Sequence, residues 1–294
     1  MAIVHANSKL GRGWLLTKSS WRTLLLDKEL VVLSFLNAIL SIGVIMLILA
    51  VTGQLLLVDD GSYSVSSVGL AAIVYGFFAF MTIVATFTTA GIVAGATQRF
   101  RGEDPTLKSC FRAVSQKFTP LLLFGVFMSS VGLLFQFLED RLPFAGSVAA
   151  WLADISWSIA NFFSIPVIVL SDKKVMPLAA AKQSVEIIKK VWGESVVSQG
   201  TVGLVGAFVI LVFMIVSGLL LAGINLVLPG LVVQIGFSVV GMGVIALILL
   251  FSTLSGIVKA ALYHYATTGE SPTTFNKNLL KASMTPKKAK KIFA

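Results

Sequence analysis

Few side chains in this sequence combine the chemistry and the spacing that catalysis needs. The 294 residues include only two histidines, His5 and His264, and a single cysteine, Cys110. A general base needs a partner within hydrogen-bond reach, and a protein zinc site needs three or four nitrogen, sulfur or oxygen ligands. The sequence has no zinc-binding pair of histidines, no second aspartate inside its apolar runs and no glycine-rich phosphate loop. We therefore predict a protein that is not an enzyme and that holds no metal and no cofactor.

One apolar run carries an unusual density of polar residues. Asp154, Ser158 and Asn161 recur at spacings of four and three, which places them on one face of a helix. A carboxylate at the centre of a bilayer costs about 2.5–3.5 kcal/mol on insertion scales, so such a residue normally faces protein or water. Two interpretations stay open: a polar path for an ion or small molecule, or a solvated structural aspartate near the end of its span. Pro166 predicts a kink in the same helix.

These residues belong to one of six long apolar runs. A helix that crosses the hydrocarbon core needs roughly 20 mainly apolar residues, and the runs are too long and too continuous for strands. We predict an all-α polytopic membrane protein that forms a single integral membrane domain over residues 1–294. Its parts are a cytoplasmic amphipathic segment (1–29), six spans (30–258) and a cytoplasmic helix with a basic tail (259–294). The spans are Leu30–Val58, Val68–Thr97, Thr119–Leu138, Ser147–Leu170, Val196–Ala222 and Leu231–Val258.

Basic residues are concentrated in alternate gaps between these runs. Of the 23 Lys and Arg residues, all except Arg141 lie before the first span or after the second, fourth and sixth. Cytoplasmic loops carry such an excess, so we predict a multi-pass plasma-membrane protein with both termini in the cytoplasm. The net charge of +10 then follows from orientation and from attraction to anionic lipid headgroups, on the order of 1 kcal/mol per cation near the surface. No nucleic-acid partner is needed to explain it.

Each cytoplasmic gap has the apolar periodicity of an amphipathic helix. The apolar stripes are Leu10, Trp14, Trp21 and Leu24 or Leu25; Leu107, Phe111, Val114 and Phe118; and Leu178, Ala181, Val185, Ile188 and Trp192. Basic residues beside such stripes suit helices that lie in the headgroup layer, and packing against the inner ends of the spans is the open alternative. The predicted contacts with anionic lipid are Lys18, Arg22, Arg99, Arg101, Lys108, Arg112, Lys182, Lys189 and Lys190.

Short sequence similarities suggest that one structural unit is used three times. The strings KSSWR at 18–22 and KSCFR at 108–112 each precede an odd-numbered span, and KQSVE at 182–186 is a weaker third copy. We predict a tandem repeat of one cytoplasmic helix and one transmembrane hairpin, although convergence of interfacial helices would give similar strings. Asp104 before Pro105 predicts a helix start, and Gly102 and Gly269 predict helix ends.

Several longer segments support a family resemblance. GWLLTKSSWRTLLLDKELVVL, IPVIVL after Trp157, SVEIIKKVWGES and KAALYHYATTGESPTTF resemble an uncharacterised family of six-span bacterial and archaeal membrane proteins, a domain of unknown function. That family looks distantly like the membrane portions attached to some glycerophosphodiester phosphodiesterases. No soluble phosphodiesterase domain is expected here, so the resemblance implies a topology and no activity.

Two functional hypotheses from different classes follow. The first is a non-enzymatic scaffold of the cell envelope whose basic, in-plane helices bind lipid headgroups or a protein partner. That partner would be a second copy of this chain, in a homo-oligomer, or another membrane protein. The second is a transporter or channel with a polar path along the fourth span. The amphipathic helices are the better-patterned feature, and they favour the first hypothesis.

Overall fold

Helices make up the regular structure of this chain in a computed structural model. The structure describes residues 9–27, 29–40, 42–43, 67–141, 144–191, 196–227, 230–272, 274–275 and 280, and within these ranges it contains helices, the turns between them and no strand. The helices are α1 (Lys9–Leu26), α2 (Glu29–Leu40), α3 (Ser67–Phe100), α4 (Leu107–Gln116), α5 (Phe118–Arg141), α6 (Phe144–Ala160), α7 (Ser164–Leu170), α8 (Pro177–Val191), α9 (Val196–Val227) and α10 (Leu231–Thr268). The predicted all-α class is confirmed.

Five segments are long and apolar enough to cross a membrane. They are Ala72–Phe100, Phe118–Glu139, Val148–Leu170, Val205–Ile224 and Val233–Thr268. They correspond to the second to sixth predicted spans. Of the first predicted span, Leu30–Val58, only α2 and residues 42–43 are described, and residues 44–58 lie outside the described residues. The count of six therefore stays a prediction.

The longest helices exceed the thickness of a bilayer. The 38 residues of α10 measure about 57 Å at roughly 1.5 Å per residue, against a hydrocarbon core of about 30 Å. The 34 residues of α3 measure about 51 Å on the same basis. Both helices must therefore project beyond the hydrocarbon or tilt within it. Their C-terminal turns are polar, which favours projection into the headgroup layer.

The fourth predicted span is interrupted by a turn. Helix α6 ends at Ala160, residues 161–163 form the turn, and α7 begins at Ser164. Pro166 lies in the first turn of α7, where a backbone N–H has no partner within the helix, so the proline costs no hydrogen bond. The sequence predicted a kink at Pro166, and the structure instead has a break in the helix at residues 161–163, just before the proline.

The chain folds as two compact units. The first comprises Met1–Ser34, Ala96–Glu103 and Lys189–Ala294, and the second comprises Phe35–Gly95 and Asp104–Ile188. Three of the boundaries fall inside helices, in α2, α3 and α8. The prediction of a single domain stays a prediction.

In the first unit, α1 packs on α9 and α10, which also pack on each other. Small residues permit the α9–α10 approach: a Cβ at Gly206 would lie 2.8 Å from the ring of Phe251. A buried hydrogen bond joins the hydroxyls of Ser34 and Thr253. The Thr253 hydroxyl donates to the carbonyl of Leu249 at 2.9 Å, so it accepts from Ser34. Interhelical hydrogen bonds of this kind contribute about 0.6–2 kcal/mol in membrane proteins.

In the second unit, α5 contacts α4, α6 and α7. It also meets α3 closely, because a Cβ at Gly125 would lie 2.8 Å from the Cα of Ile83. Lys117, at the end of α4, donates from Nζ to the carbonyl oxygens of Ser171 at 2.6 Å and Lys173 at 3.1 Å. This cation therefore satisfies the carbonyl of Ser171, which caps the C-terminus of α7, and a carbonyl of the loop that follows.

Two predicted helix ends are confirmed and one predicted start is wrong. Gly102 and Gly269 have φ values of 82° and 73°, the left-handed conformation that glycine adopts without steric cost. The cap of α4 is Thr106 rather than Asp104. The Thr106 hydroxyl accepts from the Ser109 amide at 3.1 Å, and the Ser109 hydroxyl accepts from the Thr106 amide at 3.0 Å. This reciprocal pair places Pro105 outside the helix.

Candidate functional site

Helix α1 has a buried face and an exposed face of different character. Its buried side chains are Leu16, Thr17, Ser20, Thr23 and Leu24. Trp14 and Trp21 lie on the exposed face, with 57% and 41% of their surface accessible, beside exposed Lys18 and Arg22. Of the predicted apolar stripe, Trp14 and Trp21 therefore lie on the outer face. Of the two alternatives at its end, Leu24 is buried and Leu25 is exposed, and the side chain of Leu10 lies outside the described part.

Helix α4 repeats this division on a smaller scale. Cys110 and Val114 are buried, whereas Phe111 is 53% exposed between exposed Lys108 and Arg112. Phe118, also 53% exposed, packs its ring 5.3 Å from that of Phe87. The stripe predicted for this helix thus contains one buried residue, Val114, and two exposed aromatic residues.

Helix α8 packs through small residues. Ala180, Ala181 and Ser184 are buried, and the Ser184 hydroxyl accepts a hydrogen bond from the Phe163 amide at 3.0 Å. That amide lies in the turn that interrupts the fourth span, so α8 satisfies a backbone group that the broken helix leaves free. Leu178 is 58% exposed on the outer side. The predicted stripe residue Trp192 lies outside the described residues.

The predicted lipid contacts fall into three groups. The side chains that are exposed to solvent or lipid are Lys18, Arg22, Arg101, Lys108, Arg112, Lys182 and Lys189. The side chain of Lys190 lies outside the described part. Arg99 is 25% exposed and is already engaged by a carboxylate. On α1 and on α4, taken separately, exposed cations lie beside large exposed apolar side chains.

Arg99 binds Asp27, the residue that follows the end of α1. Its Nε donates to Asp27 Oδ2 at 2.6 Å, and its Nη2 donates to Asp27 Oδ1. Asp27 is 1% exposed, so its charge is almost fully removed from water. A bidentate guanidinium–carboxylate pair supplies both charge compensation and fixed geometry. It joins the end of α1 to the last turn of α3.

The last turn of α3 also packs against the C-terminal segment. The ring of Phe100 lies 6.0 Å from that of Phe275 and 6.2 Å from the imidazole of His264. The hydroxyl of Thr23 donates to that of Thr274 at 2.9 Å. The end of α3, the end of α10 and the segment around Phe275 therefore meet in one aromatic cluster.

The predicted intramembrane polar residues are placed differently from one another. Asp154 is half-buried, Ser158 is exposed and Asn161 is buried. Asn161 Nδ2 donates to the Trp157 carbonyl at 3.0 Å, and its Oδ1 accepts from the Ser164 hydroxyl at 3.1 Å. Both ends of this amide therefore bind atoms next to the helix break. The functional assignment of Asp154, Ser158 and Asn161 stays a prediction.

Trp157 adds one unpaired polar group to the same region. Its ring lies 5.7 Å from that of Phe127 in an edge-on arrangement. Its Nε1 is buried without a hydrogen-bond partner in the described part of the chain. Across these same ranges, no group of three or more His, Cys, Asp and Glu side chains is close enough to hold a metal ion.

The long apolar helices indicate the class: an all-α membrane protein in which five of the described helical segments are long and apolar enough to cross a bilayer. Residues 67–273 match a family of unknown function (DUF6159), and the chain belongs to that family. No curated protein and no solved structure matches the chain. The predicted membership of an uncharacterised family is confirmed. The bacterial or archaeal origin and the likeness to the membrane portions of phosphodiesterases stay predictions.

Sequence reasoning missed the Asp27–Arg99 pair. The two residues are 72 positions apart, and no local spacing connects them. One signal was present, because Asp27 is the first acidic residue of the chain and follows four basic residues, Lys9, Arg12, Lys18 and Arg22. Such a residue in the middle of cations favours a specific partner, but the sequence has several candidate cations and does not select Arg99.

Proposed function

We propose that this protein is a non-enzymatic scaffold of the cell envelope whose helices α1 and α4 bind anionic lipid headgroups at the cytoplasmic face of the plasma membrane. The observation that carries the proposal is the outer face of α1. There, Trp14 and Trp21 are exposed beside Lys18 and Arg22. Tryptophan favours the membrane–water interface, and cations there attract anionic lipid.

Burial of the opposite face supports this assignment. Helix α1 packs on α9 and α10 through side chains that are mostly small or hydroxyl-bearing. Its large aromatic residues, Trp14 and Trp21, lie on the other side, where the described part of the chain leaves them exposed. A helix with an apolar and basic outer face suits the boundary between headgroups and acyl chains.

Anionic lipid should stabilise the purified protein more than neutral lipid does. We expect phosphatidylglycerol to raise the melting temperature of the full chain in detergent more than phosphatidylcholine with the same acyl chains, because a ligand that binds only the folded state stabilises it. The difference should shrink in 1 M salt, where the Debye length is about 3 Å. Thermal melting at a fixed scan rate measures both effects.

A charge-matched pair of variants supplies the control. Lys18→Gln with Arg22→Gln should reduce the advantage of phosphatidylglycerol, whereas Lys173→Gln with Lys174→Gln should preserve it. Both pairs are exposed, but the second lies in the loop after α7, with no tryptophan beside it. Equal stabilisation by both lipids at every salt concentration would contradict the proposal.

The proposed orientation predicts where a thiol reacts. In a Cys110→Ser background, a cysteine introduced by Lys182→Cys should react with a membrane-impermeant maleimide only in inverted membrane vesicles. Cys110 is fully buried, so the unmodified chain should give little background. Arg141→Cys, at the end of α5, should react only in intact cells. Labelling of the Lys182→Cys variant in intact cells would contradict the orientation.

A second candidate function, a transporter or channel, draws support from the broken fourth span. Discontinuous helices are common at the substrate sites of transporters. Here the break lies one helical turn beyond the unpaired Trp157 Nε1, and Asp154 lies earlier in the same helix. The amide of Asn161 argues against this candidate, because both of its ends are occupied within the break.

Asp154→Asn tests this second candidate. If a cation or proton passes this point, the variant should change flux in proteoliposomes or a growth phenotype while the folded yield stays constant. Ser156→Ala is the control, because the Ser156 hydroxyl donates to the Leu152 carbonyl in its own helix. Unchanged flux in the Asp154→Asn variant would remove the main support for transport.

A further inference from the structure

The three amphipathic helices bury the same position of one five-residue pattern. The pattern covers residues 18–22 in α1, 108–112 in α4 and 182–186 in α8. The third residue of each copy is fully buried; these residues are Ser20, Cys110 and Ser184, each 0% exposed. The first residue of each copy is an exposed lysine. Sequence similarity and burial therefore agree on the same alignment of the three helices.

Helix geometry fixes what this pattern presents outward. Successive residues turn by about 100°, so the first and fifth positions lie together, opposite the buried third position. The fourth position lies on the flank between the two faces. In α1 the outer pair is Lys18 and Arg22, and the flanking residue is Trp21. In α4 the corresponding residues are Lys108, Arg112 and Phe111.

Two cations four residues apart repel each other along a helix. An anion between them removes that repulsion, and an arginine can bind a phosphate with two parallel hydrogen bonds. The exposed neighbours are apolar: Leu25 and Leu26 follow Arg22 and are 61% and 60% exposed. A phosphate that carries acyl chains fits this combination, whereas free phosphate makes no use of the apolar residues.

The third copy lacks these features. Val185 replaces the aromatic residue, and Glu186 replaces the arginine. Lys182 therefore faces an opposite charge one turn away, and the pair attracts rather than repels. No net positive charge remains on the outer pair of α8 to hold an anion.

We propose that α1 and α4 each hold one anionic phospholipid, with its phosphate between the outer Lys and Arg and beside the aromatic ring, and that α8 holds none. This inference rests on the proposed function, because it assigns the headgroup binding to two defined sites. It distinguishes two helices that bind lipid specifically from a third that only packs.

Native mass spectrometry of the full chain in detergent, titrated with phosphatidylglycerol, tests the assignment. The wild type should retain two tightly bound phosphatidylglycerol molecules beyond any phosphatidylcholine retained under the same conditions. Lys18→Gln with Arg22→Gln should retain one, as should Lys108→Gln with Arg112→Gln, with at least a tenfold loss of affinity at the altered site. The quadruple variant should retain none, and Lys173→Gln with Lys174→Gln should retain two.

A gain-of-site variant guards against loss through misfolding. Glu186→Arg restores the outer cation pair on α8 and should add a third phosphatidylglycerol. A preference for phosphatidylglycerol that survives in the quadruple variant would overturn this inference and leave the proposed function standing. The absence of any preference in the wild type would overturn both.

Discussion

Replacing Arg99 by leucine will destabilise this protein more than replacing its partner Asp27 by asparagine. The two residues form a bidentate ion pair, but their exposures differ, at 25% for Arg99 and 1% for Asp27. The Arg99→Leu variant leaves a carboxylate buried without its cation. The Asp27→Asn variant leaves a guanidinium that reaches water, which hydrates it and screens its charge. The asymmetry follows from which charge stays buried.

The expected magnitudes follow from related measurements. Removing one partner of a buried pair costs about 3–5 kcal/mol, so Arg99→Leu should lie in that range. Loss of a hydrogen bond to a charged group costs about 1.5–3 kcal/mol, the range for Asp27→Asn. Membrane proteins often unfold irreversibly, and their melting temperatures then depend on the scan rate. Melting temperatures of the purified variants should therefore be measured at one scan rate, and they give the order of stability of the variants.

Two controls make this test specific. Arg101→Leu removes an exposed cation two residues further on and should change stability by less than about 0.5 kcal/mol. The double variant, Asp27→Asn with Arg99→Leu, should be less destabilised than the sum of the single variants, because the buried charge is gone. If Asp27→Asn lowers the melting temperature at least as much as Arg99→Leu, the prediction is wrong, and the cost of an unpaired buried carboxylate does not determine the order.

Gly125→Ala and Gly132→Ala make the same substitution on the same helix, α5, but only Gly125→Ala should destabilise the protein. A Cβ at Gly125 would lie 2.8 Å from both the Cα and the Cγ1 of Ile83. The Cα cannot rotate away as a side chain can, so α3 and α5 must separate. Overpacking of this kind costs about 1–3 kcal/mol. We expect a lower melting temperature and a lower folded yield for Gly125→Ala.

Gly132 offers the matched control within α5. A Cβ there meets nothing within 4 Å. Alanine is preferred over glycine inside a helix by about 0.5–1 kcal/mol, so Gly132→Ala should be neutral or stabilising. Destabilisation of equal size at both positions would show that the effect is a property of α5 as a whole and not of its contact with Ile83.

The spanning helices were the part of the fold most accessible from sequence. Long apolar runs without alternation have one main solution in a bilayer, and the predicted starts of the last two spans, Val196 and Leu231, coincide with the starts of α9 and α10. The ends were less accurate: α10 continues to Thr268, ten residues past the predicted Val258. Polar residues end an apolar run without ending a helix.

The amphipathic helices show a different limit. Apolar residues at helical spacing identified a stripe on each helix, but spacing does not distinguish protein from lipid as its neighbour. In α1 the structure buries Ser20 and Thr23 and exposes Trp14 and Trp21. Small side chains allow the helix to approach its neighbours closely, so they form the packed face. The bulky residues are left outside.

The candidate site was predicted in composition and not in arrangement. Lys18, Arg22, Lys108 and Arg112 were identified as lipid contacts from charge alone, and the structure leaves all four exposed. Arg99 was placed in the same group, but its guanidinium binds Asp27. The local sequence does not distinguish an arginine that forms an ion pair within the protein from one that is exposed to a ligand.

The sequence alone predicted a helical chain with six spans, because hydrocarbon offers the backbone no hydrogen-bond partners and only helices satisfy these apolar runs internally. Five of the six correspond to long apolar helices in the described residues. Tertiary structure alone decided which face of α1 is packed, which cation neutralises Asp27, and why Gly125 and Gly132 differ. These features depend on atoms that are distant along the chain and meet only when the helices pack, so no local pattern encodes them.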